Sequence, residues 1–134
     1  MEVPHDNDAE RKILGTIIVY PDRMEDVLHI VDEHMFYLER HKHVFATLKH
    51  LHSKGSIDIV SLTDTMGRRN LLGKSGGRSE VTALSGDAIN SNAIEAWAII
   101  VRDKFNKRML YEYGHQLSNM AVGPSDTGDL IDKM

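Results

Sequence analysis

Cysteine is absent from the 134 residues, and proline occurs three times. Without cysteine there is no disulfide framework and no thiolate metal site. No apolar run approaches the roughly 18–20 residues that a membrane span needs. Met1 to Asp8 lacks the basic-then-apolar order of a signal peptide. Cytoplasm is therefore the expected compartment. A strand pattern is missing too: nothing alternates for long, and β-branched residues are scattered.

A general excess of positive charge is also lacking. The net charge of −4 argues against a surface that grips nucleic acid all over, because phosphate binding needs clustered Lys and Arg. The charge is uneven. Residues 1–40 hold ten acids against four bases, a net of −6, and residues 41–134 hold twelve bases against ten acids, a net of +2. Two local basic stretches stand out, Arg68, Arg69, Lys74 and Arg78, then Arg102, Lys104, Lys107 and Arg108. They read as solvated helix faces and a loop, or as a docking surface for an acidic partner or passing DNA.

What the chain does contain is helical signal. Asp6 and Asp8 can cap a first helix whose apolar residues Ile13, Leu14, Ile17 and Ile18 fall at 3- and 4-residue steps. Pro21 stops it and can open the next helix, carrying Met24, Val27, Leu28 and Val31. A third helix is expected from about Arg40, burying Val44, Phe45, Leu48 and Leu51 and ending at Gly55. Asp58 and Ser61 offer caps for a fourth through Leu62, Thr65 and Met66. A polar turn spans Asn70 to Gly77, and a short helix with Val81 and Leu84 ends near Gly86.

The last third differs. From Asn90 or Ser91 to Ala121 there is no proline and one glycine, Gly114. Ile94, Trp97, Val101, Phe105, Met109, Tyr113, Leu117 and Met120 recur at a mean step of about 3.7, close to the helical period. One helix of about 30 residues would be roughly 45 Å long, too long for a small head to cover. Gly123-Pro124-Ser125-Asp126 reads as a turn and a new cap, and Leu130, Ile131 and Met134 begin another amphipathic pattern. The expected fold is all-α: a small helical bundle head over residues 1–89, then a long-helix hairpin over 90–134 whose second arm is truncated at the C-terminus.

Chemistry is sparse. Gly73-Lys74-Ser75 resembles the end of a phosphate loop, but the earlier glycine of that loop would fall at position 68, which is Arg68. No buried strand precedes it, so it reads as a turn. His41 and His43, then His50 and His52, sit two apart and face different sides of a helix. His43 and His50 share a face, but no third ligand joins them. No G-x-S-x-G nucleophile is present. No catalytic, cofactor-binding or metal-ligating residue is expected, and this chain is not expected to be an enzyme.

The order of residues carries more. Pro4-His5, Ala9-Glu10 and Ile13-Leu14-Gly15 resemble the P-H … A-E … V-L-G opening of DnaB-type replicative helicases. Phe36-Tyr37 with His41 to Phe45 is similar to F-Y-x-x-x-H-x-x-I-F, and Gly55, Ile57-Asp58 and Leu62 match G-x-x-I-D-x-x-T-L with one residue missing. Leu72 with Gly76-Gly77, Leu84, and Asn92 through Arg102 follow in the family's order. Trp97 stands where the family usually has Tyr, and Arg78 to Glu80 lacks its aromatic-rich sequence, the marks of a divergent member.

The resemblance implies the N-terminal domain of a hexameric, ATP-driven helicase acting in DNA replication. It implies a collar built as a trimer of dimers in which helical hairpins pair, and a platform for the primase DnaG and, in some systems, a helicase loader. ATP, Mg²⁺ and most DNA contacts would belong to a C-terminal motor domain absent from this chain. The expected assembly or partner interface lies among Trp97, Val101, Phe105, Met109 and Tyr113. The rival reading is a helix-turn-helix-like DNA-binding module with the Arg102–Arg108 stretch in the major groove.

Overall fold

The computed structural model describes residues 2–122, and these are all-helical, with no strand among them. Residues 123–134, on which the expected hairpin turn and second arm fall, lie outside the described residues. Helix α1 (Asn7–Val19) begins where Asp6 Oδ1 accepts from Ala9 N at 2.9 Å, and it buries Ile13, Leu14, Ile17 and Ile18 as the apolar spacing predicts, with Ala9 beside them. Pro21 opens a single 3-10 turn that leads into α2 (Met24–Leu28). The helix expected to run through Val31 stops earlier. The N–H groups of Ile30 and Val31 both return to Val27 O at 2.9 Å, closing a turn that still buries Val31.

Helix α3 (Glu39–Ser53) is the central post, with Val44, Phe45, Leu48 and Leu51 buried along one face. Gly55 follows its last turn at φ 81°, a left-handed position that suits glycine, and Ser56 N reaches back to Leu51 O at 3.1 Å. Asp58 caps α4 (Ile59–Arg68) through Ser61 N at 2.8 Å. The Gly73–Ser75 segment is one 3-10 turn with the Ser75 side chain buried. Then come α5 (Arg78–Ala83) and a 3-10 turn, Leu84–Asp87.

Helix α1 meets that last turn backbone to backbone. A Cβ on Gly15 would stand 2.1 Å from Leu84 O, so only glycine allows the approach. Thr16 Oγ1, which donates to Lys12 O, accepts from Ile89 N at 2.9 Å. Arg11 fixes the same junction from the outside, its Nε on Asp87 and its Nη1 on Glu80, each at 2.7 Å. Asn90 caps a 3-10 turn (Ser91–Ala93), and α6 (Ile94–Ala121) runs from there for 28 residues. Its beginning closes the core with Ile94, Ala98 and Val101. Its remainder leaves the head.

Inside the head lies one carboxylate. Glu10 is 1% exposed. Its Oε2 accepts from Tyr37 N at 2.7 Å, and its Oε1 lies 2.7 Å from His41 Nδ1. One side chain of α1 thus holds both the start of α3 and the aromatic segment before it. Burying a carboxylate is tolerable only with such partners.

Candidate assembly surface on the long helix

The 28 residues of α6 extend roughly 42 Å at the helical rise. The five residues singled out on this helix do not share one environment. Trp97 is half-buried against the head, with Lys12 Nζ 4.6 Å from its ring centre. Val101 is a core residue, 2% exposed. Phe105 is half-buried and meets His34 edge-on, with ring centres 5.3 Å apart. Met109 sits half-buried at the point where the helix departs, and Tyr113 stands 55% exposed beyond it.

Helix geometry explains this spread. Each residue advances about 100° around the axis, so a step of four overshoots a full turn by about 40°. From Trp97 through Leu117 the residues recur every four, and five such steps wind the stripe by roughly 200°. A row that starts against the head ends on the opposite side of the helix. The free half carries a different row, with steps of four, three, four and three: Asn106, Leu110, Tyr113, Leu117 and Met120. An average of 3.5 keeps one face aligned along a left-handed helix pair. Leu110 is 71% exposed and Leu117 40%. Leu110 escapes the sequence stripe because it lies one residue past Met109; the alternation of four and three is the signal that finds it.

The two halves of α6 join at Arg108. Its Nη1 donates to Pro4 O at 2.9 Å and its Nη2 to Met35 O at 2.8 Å. The guanidinium carbon stands 5.3 Å from the Tyr37 ring centre and 5.8 Å from that of Phe105. Tyr37 is backed in turn by His5, stacked with centroids 4.3 Å apart. Burial lowers the Arg108 pKa from its ordinary value. The basic Arg102–Arg108 stretch is therefore not a uniform cationic face, since Arg108 points into the head and Lys107 pairs with Asp103 at 3.2 Å.

No group of three or more His, Asp or Glu side chains among the described residues could hold a metal ion. His41 is committed to Glu10. None of the described helices is long and apolar enough to cross a membrane.

The profile of the DnaB-like helicase N terminal domain matches residues 2–103. The chain belongs to that family. Its described fold agrees with that of the crystal structure of the N-terminal domain of DnaB helicase from Mycobacterium tuberculosis. The TM-score is 0.91 at 26% identity, covering 98% of this chain and 94% of that one. Replicative DNA helicase DnaB of Nostoc sp. is 27% identical over 118 residues, which cover 87% of this chain and 13% of the relative. The Haemophilus influenzae DnaB is 28% identical over 122 residues, covering 90% of this chain and 26% of the relative. This DnaB-like chain thus spans about a quarter or less of the length of these two relatives.

Proposed function

We propose that this DnaB-like domain assembles and docks for a replicative DNA helicase, bringing copies of the chain together through the free half of α6. One observation carries the reading: Leu110, Tyr113 and Leu117 expose apolar area on a single face at coiled-coil spacing, on a helix that has left its head. A large apolar side chain contributes about 1.5–3 kcal/mol when its burial is complete, so three in register favour a contact between copies. Trp97, Val101 and Phe105 serve the same assembly indirectly by seating the helix on the head, and Met109 stands between the two roles.

The resemblance extends this to a trimer-of-dimers hexamer that unwinds DNA in replication, and to docking of the primase DnaG or a helicase loader. In that extension ATP, Mg²⁺ and DNA are handled by a C-terminal motor domain. The chain itself is proposed to have no ATP chemistry. The Gly73-Lys74-Ser75 turn buries its serine hydroxyl instead of presenting it, whereas a phosphate loop needs that hydroxyl on the metal ion.

Sedimentation of the chain across concentrations tests the assembly. The parent should self-associate, and Leu110→Asp should weaken this at least about tenfold, because a carboxylate in an apolar contact is costly. Lys104→Ala should change little, since exposed charges contribute under about 1 kcal/mol. Phe105→Asp is a poorer probe because Phe105 packs on the head. A folded Leu110→Asp chain that associates like the parent would remove this face from the seam.

A further inference from the structure

At the root of α6 a cleft of about 330 Å³ opens between the Glu33–Tyr37 segment and the Phe105–Met109 stretch. We propose that this cleft receives an acidic peptide segment of a partner protein, with one carboxylate against Arg108 and Lys42 and an apolar side chain against Phe105 and Met109. The proposal deepens the docking half of the function above and rests on it.

The charge arrangement carries the argument. His34, Lys42 and Arg108 line the cleft, and no carboxylate does. Arg108 spends two of its donors on main-chain carbonyls, which neutralise nothing. Glu10 attracts the guanidinium from inside the head, but its oxygens are already taken by Tyr37 N, Leu38 N and His41. A guanidinium has five N–H donors in a rigid fork that suits a carboxylate, and its charge gains most from pairing where water is already partly excluded. Lys42 stands by with only the exposed Glu39 at 3.0 Å. Such an exposed pair exchanges partners at little cost.

The walls select the rest of the ligand. The Tyr37 and Phe105 rings flank the guanidinium, and Met109 adds a flexible apolar contact. Arginine, aromatic residues and methionine are the residues enriched in protein interfaces. Cation and aromatic together also suit single-stranded nucleic acid, but the surroundings oppose a polyanion. Glu2, Glu33 and Glu39 stand close by in pairs with His5, Lys49 and Lys42, and the whole chain is negative. One carboxylate entering the cleft finds no acid in its lining and competes only with Glu39 for Lys42, whereas a run of phosphates would extend past Glu2 and Glu33 as well.

Titration of the ¹⁵N-labelled full chain tests the proposal with three probes: the blocked peptide Asp-Phe-Leu-Asp, its Asn-Phe-Leu-Asn counterpart, and a short oligothymidylate. The acidic peptide should shift the amide signals of His34, Lys42, Phe105 and Met109 saturably. The amide counterpart should bind at least about tenfold more weakly. Lys42→Glu, a change at a half-buried position outside the core, should abolish the effect with the circular dichroism spectrum unchanged. The proposal is overturned by no saturable shift at these residues, by equal binding of both peptides, by tighter binding of the oligothymidylate, or by full binding to a folded Lys42→Glu chain. None of these outcomes bears on self-association through Leu110, so failure of the cleft and failure of the assembly seam remain separable.

Discussion

Two carboxylates show how much the position of one group decides. Glu10 and Asp8 belong to the same helix, yet Asp8 makes an exposed pair with Lys12 while Glu10 lies in the core against His41. Glu10→Ala leaves Tyr37 N–H, Leu38 N–H and His41 without their acceptor. Removing one member of such a buried pair costs about 3–5 kcal/mol, so the midpoint of urea unfolding should drop sharply. Asp8→Ala should leave it nearly unchanged.

Other carboxylates stabilise from nearer the surface. Asp32 is held well below the usual carboxylate range by hydrogen bonds at Glu33 and by Lys49. The N–H of Ser61 lowers Asp58, and Arg11 lowers Glu80. Groups depressed in the folded state stabilise it at pH above their unfolded values, near 4, and that contribution is lost as pH falls through the folded ones. The urea midpoint should therefore stay level from about pH 7 to 5 and decline below about pH 4. Asp32→Asn should flatten part of that decline; an unchanged slope would show that Asp32 contributes none of it.

At the scale of elements, the starts and stops were largely legible, because they depend on local chemistry. Asp6 and Asp58 cap where acids followed by apolar periodicity predict it, and Pro21 and Gly55 mark the breaks. What stayed hidden depends on contacts far apart in sequence. Nothing around Gly15 signals that Leu84 O will lie where its side chain would be, nor does the motif around Glu10 announce that it will face Tyr37 and His41. The apolar stripe of α6 was visible, but its winding was not, because a mean step near 3.7 conceals a drift that matters only over many turns. Gly15→Ala tests the closest of these contacts. The new methyl meets main chain, which cannot swing aside, and overpacking of this kind costs about 1–3 kcal/mol. Thermal unfolding should show it, with the loss traced to the α1 junction by amide exchange at Ile89.

For the molecule as a whole, the core ends before the long helix does. Val101 is the last buried residue among those described, and Arg108 makes the last hydrogen bonds from α6 to the head. A chain ending at Met109 should therefore unfold cooperatively at nearly the parent temperature, as followed by circular dichroism, and should sediment as a monomer. Loss of cooperative unfolding in the shortened chain would mean that residues beyond Met109 are needed to complete the head.

Arg108 also acts as a fulcrum. From there to Ala121 the helix continues for about 20 Å as an unsupported lever arm. A tilt of about 10° at Arg108 would carry the tip sideways by roughly 3 Å over that length, enough to take a leucine out of register in the proposed seam. Pro4 O and Met35 O hold Arg108 at that point, two main-chain oxygens in segments outside the proposed seam. In the proposed pairing, alignment between copies would depend on how the head holds Arg108, and a peptide bound in the cleft beside it would bear on the same point.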